Sequence, residues 1–331
     1  MEQKGFSAEF LKEKVVLVTG GTGTFGRAFI ARLLSTEVEK IIIYSRDELK
    51  QSEIQRTYPT ETRLRYFLGD IRDVDRLKLA FQGVDFVVHA AALKQVPATE
   101  YNPFEAVKTN IIGSQNVVDA ALDAGVAKTL LISSDKAVEP INLYGATKLA
   151  AEKLTVAANA YVNEKRPGAF SVVRYGNVIG SRGSLIELIE KTRTSGHIPL
   201  TDERMTRFWM RIEQVMDIVL ECLFVMQGGE VFIPKMKNMP VKTVIEMLAP
   251  ECTLDIIGMR PGEKLHETLI TEYDAKRARV LEHVYVISPE FGSYDSVWLQ
   301  SKPTIPEHFS FRSDSEAFLM NEGEAKELFG L

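Results

Sequence analysis

Val15-Val16-Leu17-Val18-Thr19-Gly20-Gly21-Thr22-Gly23-Thr24-Phe25-Gly26 is the stretch that dictates the fold. Its aliphatic, β-branched beginning predicts a short buried strand over 15–18. Glycines at 20, 23 and 26 follow in a GxxGxxG spacing. Gly20 permits a tight turn, Gly23 lets a pyrophosphate approach the backbone, and Gly26 lets the next helix pack close on the strand. Apolar periodicity over 25–34 predicts that helix, whose first N–H groups and positive dipole end face any phosphate on the loop. A glycine turn alone is an ordinary strand-to-helix connection. Between this strand and this helix it predicts a dinucleotide site.

Outward from that loop, strand-like runs recur at 41–44, 64–68, 86–88, 129–132 and 170–174. Amphipathic segments such as 107–124 and an Ala/Leu-rich helix at 143–162 separate them. Apolar strands bounded by glycine or acidic residues and joined by helices are buried parallel strands with right-handed crossovers. The expected fold is α/β: a doubly wound parallel sheet (Rossmann) with a smaller C-terminal α/β substrate-binding lobe. Residues 1–178 are expected to form the dinucleotide domain. Residues 179–331 are expected to form mainly the second lobe, with some segments returning to the sheet. Short helices at 184–194, 212–226 and 241–248 mix there with turns at Gly196, Gly228-Gly229, Pro240 and Pro261-Gly262. After Arg277 the periodicity is poor and predicts little.

Composition narrows the function classes. The 331 residues are 45% hydrophobic and 26% charged with a net charge of −5, which suits a globular protein and gives no electrostatic attraction to nucleic acid or anionic lipid. No run approaches the roughly 18 uninterrupted apolar residues of a membrane span, and residues 1–14 lack the apolar core of a signal peptide. The two cysteines, Cys222 and Cys252, have no metal-ligand spacing and read as free thiols in a reducing cytoplasm. His197 and His266 likewise belong to no metal constellation, and no metal is expected.

The cofactor type is read at the end of the second strand. An NAD site places a carboxylate about 20 residues beyond the loop to hold the ribose 2′-hydroxyl. Here Ser45 and Arg46 come first and Lys50 follows. A hydroxyl and a guanidinium suit a 2′-phosphate, so NADP is expected. The bland alternative pairs Arg46 with Asp47 or Glu48 at the surface. Asp70-Ile71 after the third strand can hold the adenine. Ala90-Ala91-Ala92 after the fourth let the backbone come close to the cofactor.

Tyr144-Gly145-Ala146-Thr147-Lys148 opens the long helix, and its i, i+4 spacing puts Tyr144 and Lys148 on one face. A neighbouring ammonium is expected to lower the phenol pKa from about 10, making Tyr144 a base toward an alcohol. Ten residues upstream, Ser134-Asp135-Lys136 ends a parallel strand, where such sheets place ligands. Asp135 and Lys136 there provide a second acid and base. Lysine serves as a base only if burial or positive neighbours lower its pKa.

With these motifs the chain resembles the extended short-chain dehydrogenases/reductases. More narrowly, it is similar to the inverting UDP-N-acetylglucosamine 4,6-dehydratases that open pseudaminic acid synthesis. The resemblance is carried by Gly20–Gly26, 44–50, 89–94, Ser134-Asp135-Lys136-Ala137, Tyr144–Lys148, 174–178 and Arg260-Pro261-Gly262-Glu263-Lys264. It implies a cofactor set of Gly20, Thr22, Gly23, Thr24, Phe25, Gly26, Ser45, Arg46, Lys50, Asp70, Ile71, Ala90, Ala91, Ala92, Lys94, Tyr144, Lys148 and Val178. It implies that Tyr144 takes the 4-hydroxyl proton, Lys148 holds the nicotinamide ribose and Ser134 steadies the 4-oxygen. Lys136 is then the base at C5, and Asp135 the acid for the departing 6-hydroxyl. Lys94, Asn177, Arg260 and Glu263 would grip the UDP-sugar, with Arg182, Thr201, Arg204 and Arg207 as further candidates, while Met205, Phe208 and Trp209 suit a pocket wall or the core. The product would be a 4-keto-6-deoxy sugar inverted at C5, or a 5,6-ene, and the family implies a homo-oligomer. Two alternatives stay open: an epimerase or reductase of the same fold, and a non-enzymatic NADP-binding regulator.

Overall fold

The computed structural model describes residues 8–181, 183–290 and 297–331. β1 (Val15–Thr19), buried along its whole length, lies between β2 (Lys40–Ser45) and β4 (Phe86–His89) and runs parallel to both. β3 (Leu64–Leu68) continues the sheet beyond β2. β5 (Lys128–Ser134) and β6 (Phe170–Tyr175) continue it beyond β4. The chain therefore builds outward in one direction from β1, returns, and builds in the other. That reversal opens a crevice at the carboxyl ends of β1 and β4, the place where open α/β sheets bind ligands.

Helices cover both faces, as buried parallel strands require. On one face Phe29, Ile30 and Leu33 of α1 (Thr24–Leu34) pack with Val215, Val219 and Leu223 of the helix Ile212–Val225. On the other, Leu77, Phe81, Val117 and Ala121 form a second apolar layer.

The region after residue 178 serves two structures. Val231–Pro234 pairs parallel with β6, Val284–Ile287 pairs antiparallel with it, and Ala278–Val280 forms the edge, giving nine strands among the described residues. The remainder caps the crevice. Asn177–Val178, Thr206–Met210 and Lys237–Pro240 form a small sheet over a separate core containing Ile198, Leu200, Trp209, Val244 and Ile245. The tail that looked structureless in sequence packs Phe309, Phe311 and Phe318 against Tyr285 and Phe208.

Two predicted helices are divided. Segment 107–124 begins as a π-helical turn, Val107–Ile112, before the α-helix Gly113–Ala124. The turn carries Asn110, whose Oδ1 accepts from Leu93 N at 2.8 Å while its Nδ2 donates to Leu93 O and Thr147 Oγ1, each at 2.9 Å. This amide thus ties the end of β4 to the helix Leu143–Ala157. That helix ends in a 3-10 turn, Ala158–Tyr161, short of the predicted residue 162. Among the described residues no helix is long and apolar enough to cross a membrane.

Candidate active site

The glycine loop is shaped as its spacing requires. Gly20 has φ +67° and lies against Ala91, whose backbone would sit 2.9 Å from an added Cβ. At Gly26 a Cβ would meet Gly21 Cα at 2.4 Å, so only glycine lets α1 start this close to the turn. Gly23 caps α1 with no side-chain hydrogen bond to its N-terminal N–H groups. The loop borders a cavity of about 580 Å³. Every residue expected for the cofactor lines it: Gly20, Thr22–Gly26, Ser45, Arg46, Lys50, Asp70, Ile71, Ala90–Ala92, Lys94, Tyr144, Lys148 and Val178. The bare helix end and the close-packed glycines fit a pyrophosphate.

At the adenosine end, Thr22 Oγ1 and Ser45 Oγ lie 2.7 Å apart. Arg46 pairs with Asp70 at 3.5 Å rather than with Asp47 or Glu48, and Lys50 pairs with Asp47. Arg46 stays half exposed at the cavity edge, so a guanidinium and a hydroxyl border the same end.

At the far end stands the helix Leu143–Ala157. Asn142 caps it, accepting from Gly145 N at 2.8 Å and donating to Gly262 O at 2.7 Å. Gly145 presses on the 3-10 turn Asp135–Ala137, where an added Cβ would fall 2.2 Å from Lys136 O. This close approach puts Tyr144 beside Ser134 and Lys136, and all three line the cavity. Lys148 is buried, and its Nζ donates to Ile132 O at 2.5 Å.

The charges depart from expectation at Lys136 and Tyr144. Lys136 Nζ sits 3.0 Å from Asp135 Oδ1 and 3.4 Å from Glu267 Oε1. Burial alone would lower the lysine pKa, but these two carboxylates outweigh it and raise it. Lys136 is therefore an ammonium in this state, not the depressed base expected. Tyr144 is likewise raised, because burial, helped by the charge of Asp135, outweighs the ammonium of Lys136 and the contact with the Ser134 hydroxyl. Lys148 moves the other way: burial pushes it down to about 8 against the pull of Glu152. Asp135 is fully buried and does not line the cavity. Burial favours its neutral form, but Lys136 and the Ser134 hydroxyl, which donates at 2.7 Å, hold its pKa below the usual value. The expected acid is thus reached from the cavity only past Ser134 and Lys136.

A second cavity of about 310 Å³ adjoins the first, sharing Asn177, Gly183, Ser184 and Trp209. Asn177 Oδ1 and Ser184 Oγ are buried there with no hydrogen-bond partner among the described residues, and buried polar atoms of this kind call for a ligand or water. Thr201, Arg207, Arg260 and Glu263 also line it, as do Met205 and Trp209, while Phe208 lies in the core. Lys94 lies in the first cavity. The guanidinium of Arg207 is already engaged: it donates to Thr206 O, Leu265 O and Lys264 O at 2.7–3.0 Å. These bonds brace the segment that carries Lys264 and Leu265. Arg204 is exposed and paired with Asp202, away from both cavities. Arg182 lies outside the described residues. His266 bonds Thr206 Oγ1 at 2.8 Å and His197 bonds Asp255 at 3.2 Å.

Sequence reasoning passed over Glu267 and Ser184. Glu267 carried a usable signal, an acid three residues beyond Lys264 in the Arg260–Lys264 run. Ser184 carried none.

Residues 16–289 match a family described as polysaccharide biosynthesis protein. The chain is 46% identical over 321 residues to a UDP-N-acetylglucosamine 4,6-dehydratase (inverting) of Campylobacter jejuni, covering 94% of this chain and 96% of that one. It is 38% identical to a UDP-glucose 4-epimerase of Rickettsia bellii over 83% of each chain. Among solved structures, Pen from Bacillus thuringiensis superposes with a TM-score of 0.88 at 35% identity, over 97% of this chain and 98% of that one.

Proposed function

The chain belongs to the family of polysaccharide biosynthesis proteins, with the short-chain dehydrogenase/reductase fold, and from that premise we propose that it is a lyase removing water across C5 and C6 of UDP-N-acetylglucosamine. The observation that carries this reading is that Lys136, paired with the buried Asp135, lines the cavity together with Tyr144. Oxidising and re-reducing an alcohol needs one acid–base group. Dehydration needs two more.

A nicotinamide dinucleotide held by the glycine loop, Tyr144 and Lys148 would supply a reversible hydride acceptor. Tyr144 takes the proton of the 4-hydroxyl as C4 becomes a ketone, with Ser134 donating to the oxygen. The ketone acidifies the C5 hydrogen. Moving one proton across the 3.0 Å from Lys136 Nζ to Asp135 Oδ1 turns the ion pair into an amine and a carboxylic acid. Closure over the sugar favours that neutral pair, because desolvation penalises both charges. The Lys136 amine then removes the C5 proton. The 6-hydroxyl leaves as water with the proton of Asp135, relayed by the Ser134 hydroxyl that touches Asp135 and faces the cavity. Hydride return to C6 and a proton to C5 give the 4-keto-6-deoxy sugar. Return to C4 gives the 5,6-ene.

The orphaned Asn177 Oδ1 suits a donor such as the acetamido N–H, and Arg260 suits the diphosphate. Arg46 and Ser45 favour NADP. Incubation with UDP-N-acetylglucosamine in D₂O, followed by NMR, should show either a C6 methyl with deuterium at C5 or a C6 methylene. An unchanged sugar would refute the dehydratase reading. Lys136→Ala should cut turnover about 100-fold or more. Substantial turnover to a 4-epimer in that variant would favour the epimerase activity of the Rickettsia relative instead.

A further inference from the structure

Glu267 ends the run Arg260-Pro261-Gly262-Glu263-Lys264-Leu265-His266-Glu267 and is 2% exposed. Its carboxylate is surrounded by cations: Lys136 Nζ at 3.4 Å, Lys264 Nζ at 3.8 Å and Arg207 Nε at 3.9 Å. Its backbone is anchored on both sides, since Glu267 N donates to Ser313 Oγ and Ser313 N donates to Glu267 O, each at 2.8 Å. A buried carboxylate kept for stability has its oxygens satisfied by hydrogen bonds. Glu267 Oε2 is buried and accepts none among the described residues. Its nearest cationic partner is the lysine that meets the sugar.

We infer that Glu267 is a positioning residue for the dehydration, holding the Lys136 nitrogen at the cavity floor throughout the reaction. The inference rests on the dehydratase reading. When Asp135 carries the proton destined for the 6-oxygen it is neutral and no longer anchors Lys136. Glu267 is then the carboxylate that remains beside Nζ. It also stabilises the ammonium formed as Lys136 takes the C5 proton. The charged and titratable groups facing this pair are Asp135 on its own turn, Tyr144 on the helix, Arg207 on the strand Thr206–Met210 and Lys264 on the same segment as Glu267.

Two readouts test it. In Glu267→Gln, kcat should fall about 100-fold, with the KM for UDP-N-acetylglucosamine within about threefold. The pH profile should move about one unit toward acid, because loss of a neighbouring anion lowers every nearby pKa. Glu267→Asp, which keeps the charge, should restore the wild-type position of the profile. Lys264→Met removes a cation and should move the profile the opposite way, and it decides the matter if Glu267→Gln fails to fold. Independently of substrate, acetic anhydride should modify Lys136, read by peptide mass, at lower pH in Glu267→Gln than in wild type. If wild type dehydrates the sugar but neither profile nor labelling shifts in these variants, the inference is overturned. If labelling shifts but wild type leaves the sugar intact, the dehydratase reading fails and the hold of Glu267 on Lys136 stands.

Discussion

Lys148 shows how one buried side chain couples chemistry to stability. Its pKa is about 8 in the folded chain against 10.5 unfolded, because burial disfavours the ammonium. Below pH 8 both states bind the proton, and the cost of the buried charge is fully present. Between about 8 and 10.5 the unfolded chain binds more protons, so stability rises with pH there, by roughly 3 kcal/mol over the window. Thermal unfolding of wild type and Lys148→Met from pH 7 to 9.5 should show wild type gaining on the variant above pH 8. A constant difference in Tm would contradict it. Arg46 offers a test at the opposite end of the cavity. If it binds a 2′-phosphate, Arg46→Ala should weaken NADP⁺ by about tenfold or more, the size of a charge-assisted hydrogen bond, and leave NAD⁺ within about twofold. Equal losses for both, measured by calorimetry, would remove the argument for NADP.

At the scale of elements, the contact between the Asp135–Ala137 turn and the helix Leu143–Ala157 places the chemistry. Gly145 is the hinge of that contact. A methyl group there would fall 2.2 Å from Lys136 O, a distance that neither backbone can accept unmoved. Gly145→Ala should therefore separate Tyr144 from Lys136 while leaving the glycine loop intact. The expected outcome is unimpaired cofactor binding with dehydration down about 100-fold, the cost of a displacement near 1 Å. Loss of cofactor affinity would mean that the helix as a whole had moved. The same contact explains what was legible beforehand. The Tyr144 and Lys148 spacing, the glycine loop and the strand ending in Ser134 are local patterns, each written within one element or one connection. Of the two carboxylates that raise the Lys136 pKa, Asp135 stands next to it in the sequence, whereas Glu267 comes from another part of the chain and was passed over. The bracing contacts of Arg207 were hidden for a similar reason: its carbonyl acceptors at Lys264 and Leu265 are neighbours only in three dimensions.

Across the whole molecule, the first six strands could be placed from hydrophobic runs and turn residues alone. The return of 231–234 and 278–287 to the same sheet was legible only as a general expectation, and the tail not at all. Phe309 and Phe311 alternate with polar residues over only a few positions, and the cluster around Phe311 is completed by Phe208, Tyr285 and Phe318 from elsewhere in the chain. The nine-stranded sheet also carries a consequence for biogenesis. β1 through β6 pair among themselves, and all precede the strand Thr206–Met210 and Glu267 in order of synthesis. A nascent chain emerging from the ribosome can thus pair its dinucleotide strands first, while the helix Ile212–Val225 that covers α1 and the sugar-facing half are still untranslated. Glu267, Lys264 and Ser313 arrive afterwards, so the acid–base cluster is completed only by the last third of the polypeptide.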